Sequence, residues 1–277
     1  AQELEKILLD FLPQIVKKCL YYQAWDKRLV QEGFELAEKQ QKIREVLEER
    51  KLVAFCANGS ILPRKSGVSS QPLKDAVAFE SPKSMELAID LPFGGSIFGM
   101  GIPEGVTLII GGGYHGKSTL LQALEQGVYN HVKGDGREYV ITRANALKLR
   151  AEDGRAVSNL DLSLFIHDLP NGKDTHCFST EDASGSTSQA AGVMEGIAGT
   201  SCFLIDEDTS ATNFLVRDAF MRRVVSGEQE PITPFIARVR DLYEKAGIST
   251  ILVAGSSGAF FHVADTIIQM DAYRPKD

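Results

Sequence analysis

Residues 1–51 alternate apolar and charged positions with a helical period. Leu36, Ile43, Val46 and Leu47 share a face, with Glu38, Lys39, Lys42, Glu45 and Glu49 between them. The pattern predicts an N-terminal helical segment, 1–51, whose apolar face packs on the next domain; a coiled-coil or partner-binding arm is the alternative. A second unit is predicted over 52–277. Leu52 to Ala57 reads as a short apolar strand, and 58–71, rich in Gly, Ser and Pro, as a loop that carries Arg64 and Lys65, two cations available to a phosphate. Leu87, Ile89 and Leu91 alternate as in a half-buried strand. Val106 to Ile110 is a continuous β-branched and apolar run, the pattern of a strand covered on both faces. Helix and strand signals alternate from there onward. The expected fold class is therefore α/β, with a mostly parallel sheet flanked by helices.

Composition narrows this picture. The 277 residues carry a net charge of -7, so no basic nucleic-acid footprint spans the chain as a whole. Cys19, Cys56, Cys177 and Cys202 include no CxxC spacing, so neither a zinc site nor a dithiol motif is suggested, and scattered free cysteines fit a reducing compartment. Cys202 lies in an apolar run and reads as a buried small hydrophobe. The first ten residues lack the order of a signal peptide. No run approaches the ~18 uncharged apolar residues of a membrane span. An intracellular, soluble protein without a membrane role is the expectation.

The chemistry begins after the strand 106–110. Gly111, Gly112, Gly113, Tyr114, His115, Gly116, Lys117, Ser118 and Thr119 fit G-x-x-x-x-G-K-[ST], between a buried strand and a helical run. Glycines let backbone N–H groups curl around phosphates, and the helix start adds its positive dipole end. In this P-loop reading, Lys117 reaches the β- and γ-phosphates of ATP and Ser118 ligates Mg²⁺. His115 fills a loop position rather than acting as a base. A second strand, 202–205, ends in Asp206 and Glu207. Ligands in open α/β sheets bind at the carboxyl edge. Asp206 is the expected Mg²⁺ residue, directly or through water, and Glu207 the group that polarises the attacking water.

These residues carry a resemblance. Asp206, Glu207, Asp208, Thr209, Ser210, Ala211, Thr212 and Asn213 resemble the D-E-P-T-S-A-L-D run of ABC-type ATPases. Ser184 and Gly185 resemble part of the L-S-G-G-Q signature, with Ser186 where the second glycine stands. Residues 134–138 resemble the small hairpin after the P-loop helix, and 264–271 the segment after the switch strand. The stretches 99–119, 150–155 and 178–189 are similar to the predicted ATPases of the ABC class, over roughly 52–276.

The resemblance implies an ABC-ATPase-like P-loop NTPase that pairs as a head-to-tail homodimer on ATP binding. Each ATP would lie between residues 111–119 of one copy and 184–189 of the other, with Ser184, Gly185 and Ser186 offering donors to the γ-phosphate. Hydrolysis would loosen the pair and drive a clamp, with nucleic acid or a protein complex as its load. Three departures stand out. Ser256 occupies the switch-histidine position. No glutamine appears near 160–165, where Asp161 or Ser163 would take over. The 165–184 arm is shorter than in transporter domains, which argues against transport. These departures motivate the alternatives of a nucleotide-gated module with little turnover and a P-loop kinase.

Overall fold

The structure is a computed structural model that describes residues 2–217, 230–255 and 258–277. Twelve strands are described: β1 (Leu52–Ala57), β2 (Glu86–Asp90), β3 (Ser96–Pro103), β4 (Val106–Ile110), β5 (Val140–Thr142), β6 (Ala146–Leu149), β7 (Arg155–Leu160), β8 (Phe178–Ala183), β9 (Cys202–Asp206), β10 (Ser249–Val253), β11 (Thr266–Asp271) and β12 (Arg274–Lys276). Six form one sheet, in the order β12-β11-β4-β10-β9-β6. It is parallel except for β12, which pairs antiparallel with β11.

The continuous apolar runs account for this sheet. Along β4, β9 and β10 successive side chains enter opposite layers, as the two-residue strand period requires. Leu108, Phe203, Ile205 and Leu252 join one core cluster; Ile109, Leu204, Ile251 and Val253 join the other. The second layer is closed by Leu120, Leu121, Ala123 and Leu124 of the P-loop helix. Ala190, Ala191 and Val193, with Val239 and Leu242 of the helix Val239–Ala246, close the first. Burial raises the Cys202 thiol to about 12, so it stays protonated and inert.

An antiparallel sheet, order β2-β3-β1-β5, accompanies the parallel one. Gly99 is required where β3 crosses β1, because a Cβ there would come within 2.3 Å of the Cys56 carbonyl oxygen. A third cluster joins Phe55, Ile89 and Ile141 to Ile43, Val46 and Leu47 of α3 (Lys27–Glu49); helices α1 (Gln2–Glu5) and α2 (Leu12–Cys19) precede it. Polar bonds fix the angle of α3: Gln40 Nε2 donates to the His131 and Glu138 carbonyls, and Arg44 donates to that of Thr142.

The N-terminal segment buries side chains against the next unit only in the C-terminal half of α3; in its first half Glu32 pairs with Lys133 at 3.0 Å and the Phe34 ring meets that of Phe93. No residue of α1, of the π-helical turn Lys6–Phe11, or of α2 is buried, and Leu4, Leu8, Phe11 and Ile15 are exposed. The Arg64 guanidinium is held by the Asp135 carboxylate at 2.8 Å and carbonyl at 2.6 Å, a paired rather than a solvated side chain. Residues 134–138 form turns rather than a paired hairpin.

Candidate functional site

The glycine-rich loop leaves β4 at Gly111, whose φ of +142° and place beside β11 both demand glycine. A Cβ there would lie 2.3 Å from the Met270 carbonyl oxygen. Gly116, at φ +94°, caps α4 (Lys117–Gln126), and its Cβ would fall 2.9 Å from the Tyr273 ring. Among the described residues, none accepts a hydrogen bond from the backbone N–H groups of Gly112, Gly113, Tyr114 and His115. Four successive free N–H groups ahead of a helix start are a nest for an anion. Lys117 Nζ donates to the Gly111 and Gly112 carbonyls, each at 2.8 Å, so its charge sits over the same loop. Ser118 and Thr119 come next, in the first turn of α4.

His115 ties this loop to the turn between β11 and β12. Its Nδ1 accepts the Ala272 N–H at 2.9 Å, and its carbonyl accepts the Tyr273 N–H at 3.2 Å. The Asp271 carboxylate lies 3.3 Å from the same nitrogen. Asp271 itself is held below the usual carboxylate range, first by its hydrogen bond to Lys276.

The acidic edge lies two strands away. Val253 of β10 pairs with Ile109 on one side and Asp206 on the other, which levels the ends of β4 and β9. Neighbouring strands are about 4.8 Å apart, so β4 and β9 flank β10 roughly 10 Å from each other. Asp206 is buried; its Oδ1 accepts the Asp208 N–H at 3.1 Å, and its carbonyl accepts from the Ser210 hydroxyl at 2.8 Å. Glu207 opens the 3₁₀ turn Glu207–Thr209, and its Oε2 accepts the Gly255 N–H at 2.6 Å. Ser256, expected beside them, lies outside the described residues.

The signature-like segment is built onto the same turn. Ser184 caps α5 (Gly185–Ile197), with Oγ accepting from the Thr187 N–H. Gln189 Nε2 donates to Ser210 Oγ, and its Oε1 accepts the Ala211 N–H, both at 2.9 Å. Ser186 is buried and its hydroxyl donates to Asn213 at 2.6 Å. Ser184 is exposed and Gly185 half-buried, whereas the Ser186 hydroxyl already has its partner. No hydrogen bond among the described residues joins 184–189 to 111–119. Asp161 accepts the Ser163 N–H at 2.9 Å and lies 3.6 Å from His176.

A cleft of about 390 Å³ opens beside the P-loop, lined by Leu62, Leu73, Phe79, Met270 and Tyr273 with Gly116 and Thr119. Phe79 lines it. Phe98, the other aromatic upstream of the loop, projects half-exposed from β3 and is not part of the lining. Nothing local in the sequence marks the turn that carries Tyr273: Ala272 and Tyr273 take φ of +46° and +68° without glycine or asparagine.

A buried strand, a free N–H nest, a lysine over it and an acidic pair at the neighbouring carboxyl edge define a P-loop nucleotide-binding domain. The chain belongs to the ABC_ATPase family, whose P-loop domain matches residues 26–277. It is 33% identical over 248 residues to the uncharacterized protein MJ1628 of Methanocaldococcus jannaschii, an alignment covering 86% of this chain and 54% of that one. The chain thus spans about half the length of the curated relative it matches. Among solved structures it is similar to cbiO1 of Clostridium perfringens, part of the ABC transporter complex cbiONQ. That match has 12% identity, covers 82% of this chain and 88% of that one, and has a TM-score of 0.47. It is also similar to MJ1267, an ATP-binding cassette of an ABC transporter in its ADP conformation, at 13% identity, with 65% and 82% covered and a TM-score of 0.41. No helix among the described residues is long and apolar enough to cross a membrane.

Proposed function

We propose that the protein is an ATPase that binds Mg·ATP and hydrolyses it between two copies arranged head to tail, outside membrane transport. The observation that carries this reading is the Glu207 carboxylate, held by the Gly255 N–H at the sheet edge that also carries the P-loop. The fit of the ligand rests on the loop itself. Its four free N–H groups suit phosphate oxygens, and Gly111 and Gly116 let the loop press against Met270 and Tyr273, where a Cβ would clash.

In this reading Lys117 exchanges the Gly111 and Gly112 carbonyls for the β- and γ-phosphates, keeping its donors satisfied throughout. Ser118 and Asp206 hold Mg²⁺. The metal, when bound, supplies charge neutralisation on the β- and γ-oxygens. Glu207 accepts the proton of the attacking water as its oxygen bonds to the γ-phosphorus and the bond to the β-bridging oxygen breaks. The base occupies the cleft lined by Phe79 and Tyr273, of which the exposed Tyr273 ring is the one free to stack.

The exposed Ser184 cap and the α5 start, with no phosphate of their own copy to bind, meet the γ-phosphate of the second copy. Loss of that phosphate releases the pair, so turnover opens and closes a clamp on a protein or nucleic-acid load. A slow, nucleotide-gated binding module is favoured by one observation: Asp161, the expected stand-in for the missing glutamine, commits its carboxylate to Ser163.

The test is the solution mass of Glu207→Gln with and without Mg·ATP. A dimer formed only with nucleotide is the expected result. A monomer that binds ATP tightly overturns the shared site.

A further inference from the structure

A cation, Arg150, stands at the acidic edge, and the register of the parallel sheet places it. Leu149, the last residue of β6, pairs with Ile205, and both enter the first core cluster. One residue earlier, Lys148 pairs with Leu204 on the other face, and its Nζ donates to Glu125 of α4 at 2.8 Å. The two-residue period carries Arg150 onto that α4 face, level with Asp206, the residue after Ile205. Asp206 shares the face, since its β10 partner Val253 belongs to the second cluster. Ligands of such sheets lie at this carboxyl edge.

The turn that carries Arg150 is fixed, whereas its side chain is free to swing. The Ala151 N–H donates to the Thr209 carbonyl of the acidic turn at 3.0 Å, and the Glu152 N–H to Ser188 Oγ of α5 at 2.9 Å. The guanidinium is 60% exposed. Among the described residues it meets Glu152 alone, with Nε and one terminal nitrogen each 3.0 Å from the same Oε1. An exposed pair of this kind contributes little stability and exchanges readily for a better acceptor. The neighbouring cations are taken: Lys148 by Glu125 and Arg155 by Glu195.

Charge identifies that acceptor. Lys117 supplies the positive charge on the loop side of the phosphates, while Asp206, Glu207 and Asp208 stand on the other. A phosphoryl group in transfer spreads negative charge over its equatorial oxygens, which these carboxylates repel. The forked, always charged guanidinium matches phosphate oxygens. On strand spacing, a γ-phosphate between the loop and the acids lies over β10, two strands or about 10 Å from β6. An extended arginine and one hydrogen bond cover that span.

We infer that Arg150 is a catalytic residue acting within its own copy: it leaves Glu152 and donates to the γ-phosphoryl oxygens in the transition state of ATP hydrolysis. The inference rests on the proposed hydrolytic site, though not on a second copy. The bond changes are those of that site. The water oxygen bonds to the γ-phosphorus, the bond to the β-bridging oxygen breaks, and Glu207 takes the proton, while Arg150 keeps all of its own.

The experiment compares the full chain with Arg150→Ala. Three readouts are taken: the unfolding midpoint, steady-state phosphate release, and the affinity for Mg·ADP with and without orthovanadate, an analogue of the phosphoryl group in transfer. The variant is expected to keep the parent's midpoint and ADP affinity, while kcat falls about 10³-fold, as on loss of an arginine that contacts the transferred group. Vanadate should tighten ADP binding in the parent and not in the variant, and added guanidinium ion at sub-denaturing concentration should restore part of the rate. Arg150→Lys, which keeps the charge without the fork, carries the same readouts should alanine disturb the turn. A variant that turns over within threefold of the parent, or whose ADP affinity falls in step with its rate, overturns the role of Arg150 and leaves the hydrolytic site standing. A parent that binds ADP but neither releases phosphate from ATP nor responds to vanadate overturns both.

Discussion

The backbone N–H of Gly255 donates to Glu207 Oε2 across 2.6 Å, joining the loop after β10 to the acid at the end of β9. The two residues are remote in sequence and meet because Val253 and Asp206 pair in parallel. One carboxylate oxygen is thereby fixed by a donor that does not titrate. Glutamine keeps an acceptor for Gly255 but takes no proton. Glu207→Gln should fold and bind nucleotide as the parent does, while its ATPase rate falls about 10²- to 10⁴-fold, the usual worth of a positioned base. Steady-state phosphate release checks this; a rate within threefold of the parent would remove Glu207 from the chemistry.

Lys117 is the charge over the nest, and its contacts in the structure are to carbonyls rather than to a carboxylate. Lys117→Ala should therefore leave the unfolding midpoint nearly unchanged, since each carbonyl can turn to water. Nucleotide affinity should fall about 10- to 150-fold, from the 1.5–3 kcal/mol of a hydrogen bond to a charged group. Titration calorimetry with ATP separates this from general damage, for which the midpoint would fall too.

Gly111 shows where the loop touches the rest of the fold. An added methyl would lie 2.3 Å from the Met270 carbonyl oxygen, at a φ of +142° that side chains avoid. Neither the loop nor β11 can yield without breaking the Gln269–Ile110 pairing beside it. Gly111→Ala should destabilise the protein by about 2–4 kcal/mol, as strained and overpacked sites do. Gly113, with nothing within 4 Å of its Cβ position, is the control and should tolerate alanine with little loss of stability. Urea unfolding of both variants decides it.

What could be read from the sequence was what is local. The buried strand, the glycine loop, the lysine and the acidic pair sit within short windows whose spacing encodes their geometry, and β4, α4 and β9 formed where the apolar runs placed them. The pairings between distant segments left no such mark. Nothing in residues 249–253 says that they lie between β4 and β9, and nothing near His115 foretells its bond to Ala272, 157 positions away. The N-terminal helix forms as its periodicity predicts, but the periodicity did not say how much of it would be covered. Its apolar periodicity is real, but only Gln40, Ile43, Val46 and Leu47 of α3 find a surface to bury against. Phe79 and Tyr273 line the cleft together only in the fold, because Tyr273 enters through a turn without glycine.

His131 makes stability fall with acid. Its Nδ1 lies 2.6 Å from Asp135 Oδ2, so that nitrogen carries the proton. Nε2 is buried with no partner among the described residues, and a second proton there would be an unsatisfied buried donor. Arg64 and Arg137 face the same pocket. Burial, the largest cause, holds the imidazole below its ordinary 6.5; Asp135 opposes the shift, and the two guanidiniums add to it. The folded state thus binds fewer protons than the unfolded state wherever the unfolded histidine is charged, so stability rises with pH there. The stabilisation is complete above pH 6.5 and drains as pH falls from that value toward the lowered folded one. His131→Asn keeps a donor for Asp135 but does not titrate. The unfolding midpoint of the parent should drop more steeply than that of the variant between about pH 7 and pH 5. Parallel slopes would mean that His131 charges as readily in the fold as in water, and that a rearrangement or a solvent path satisfies its second nitrogen.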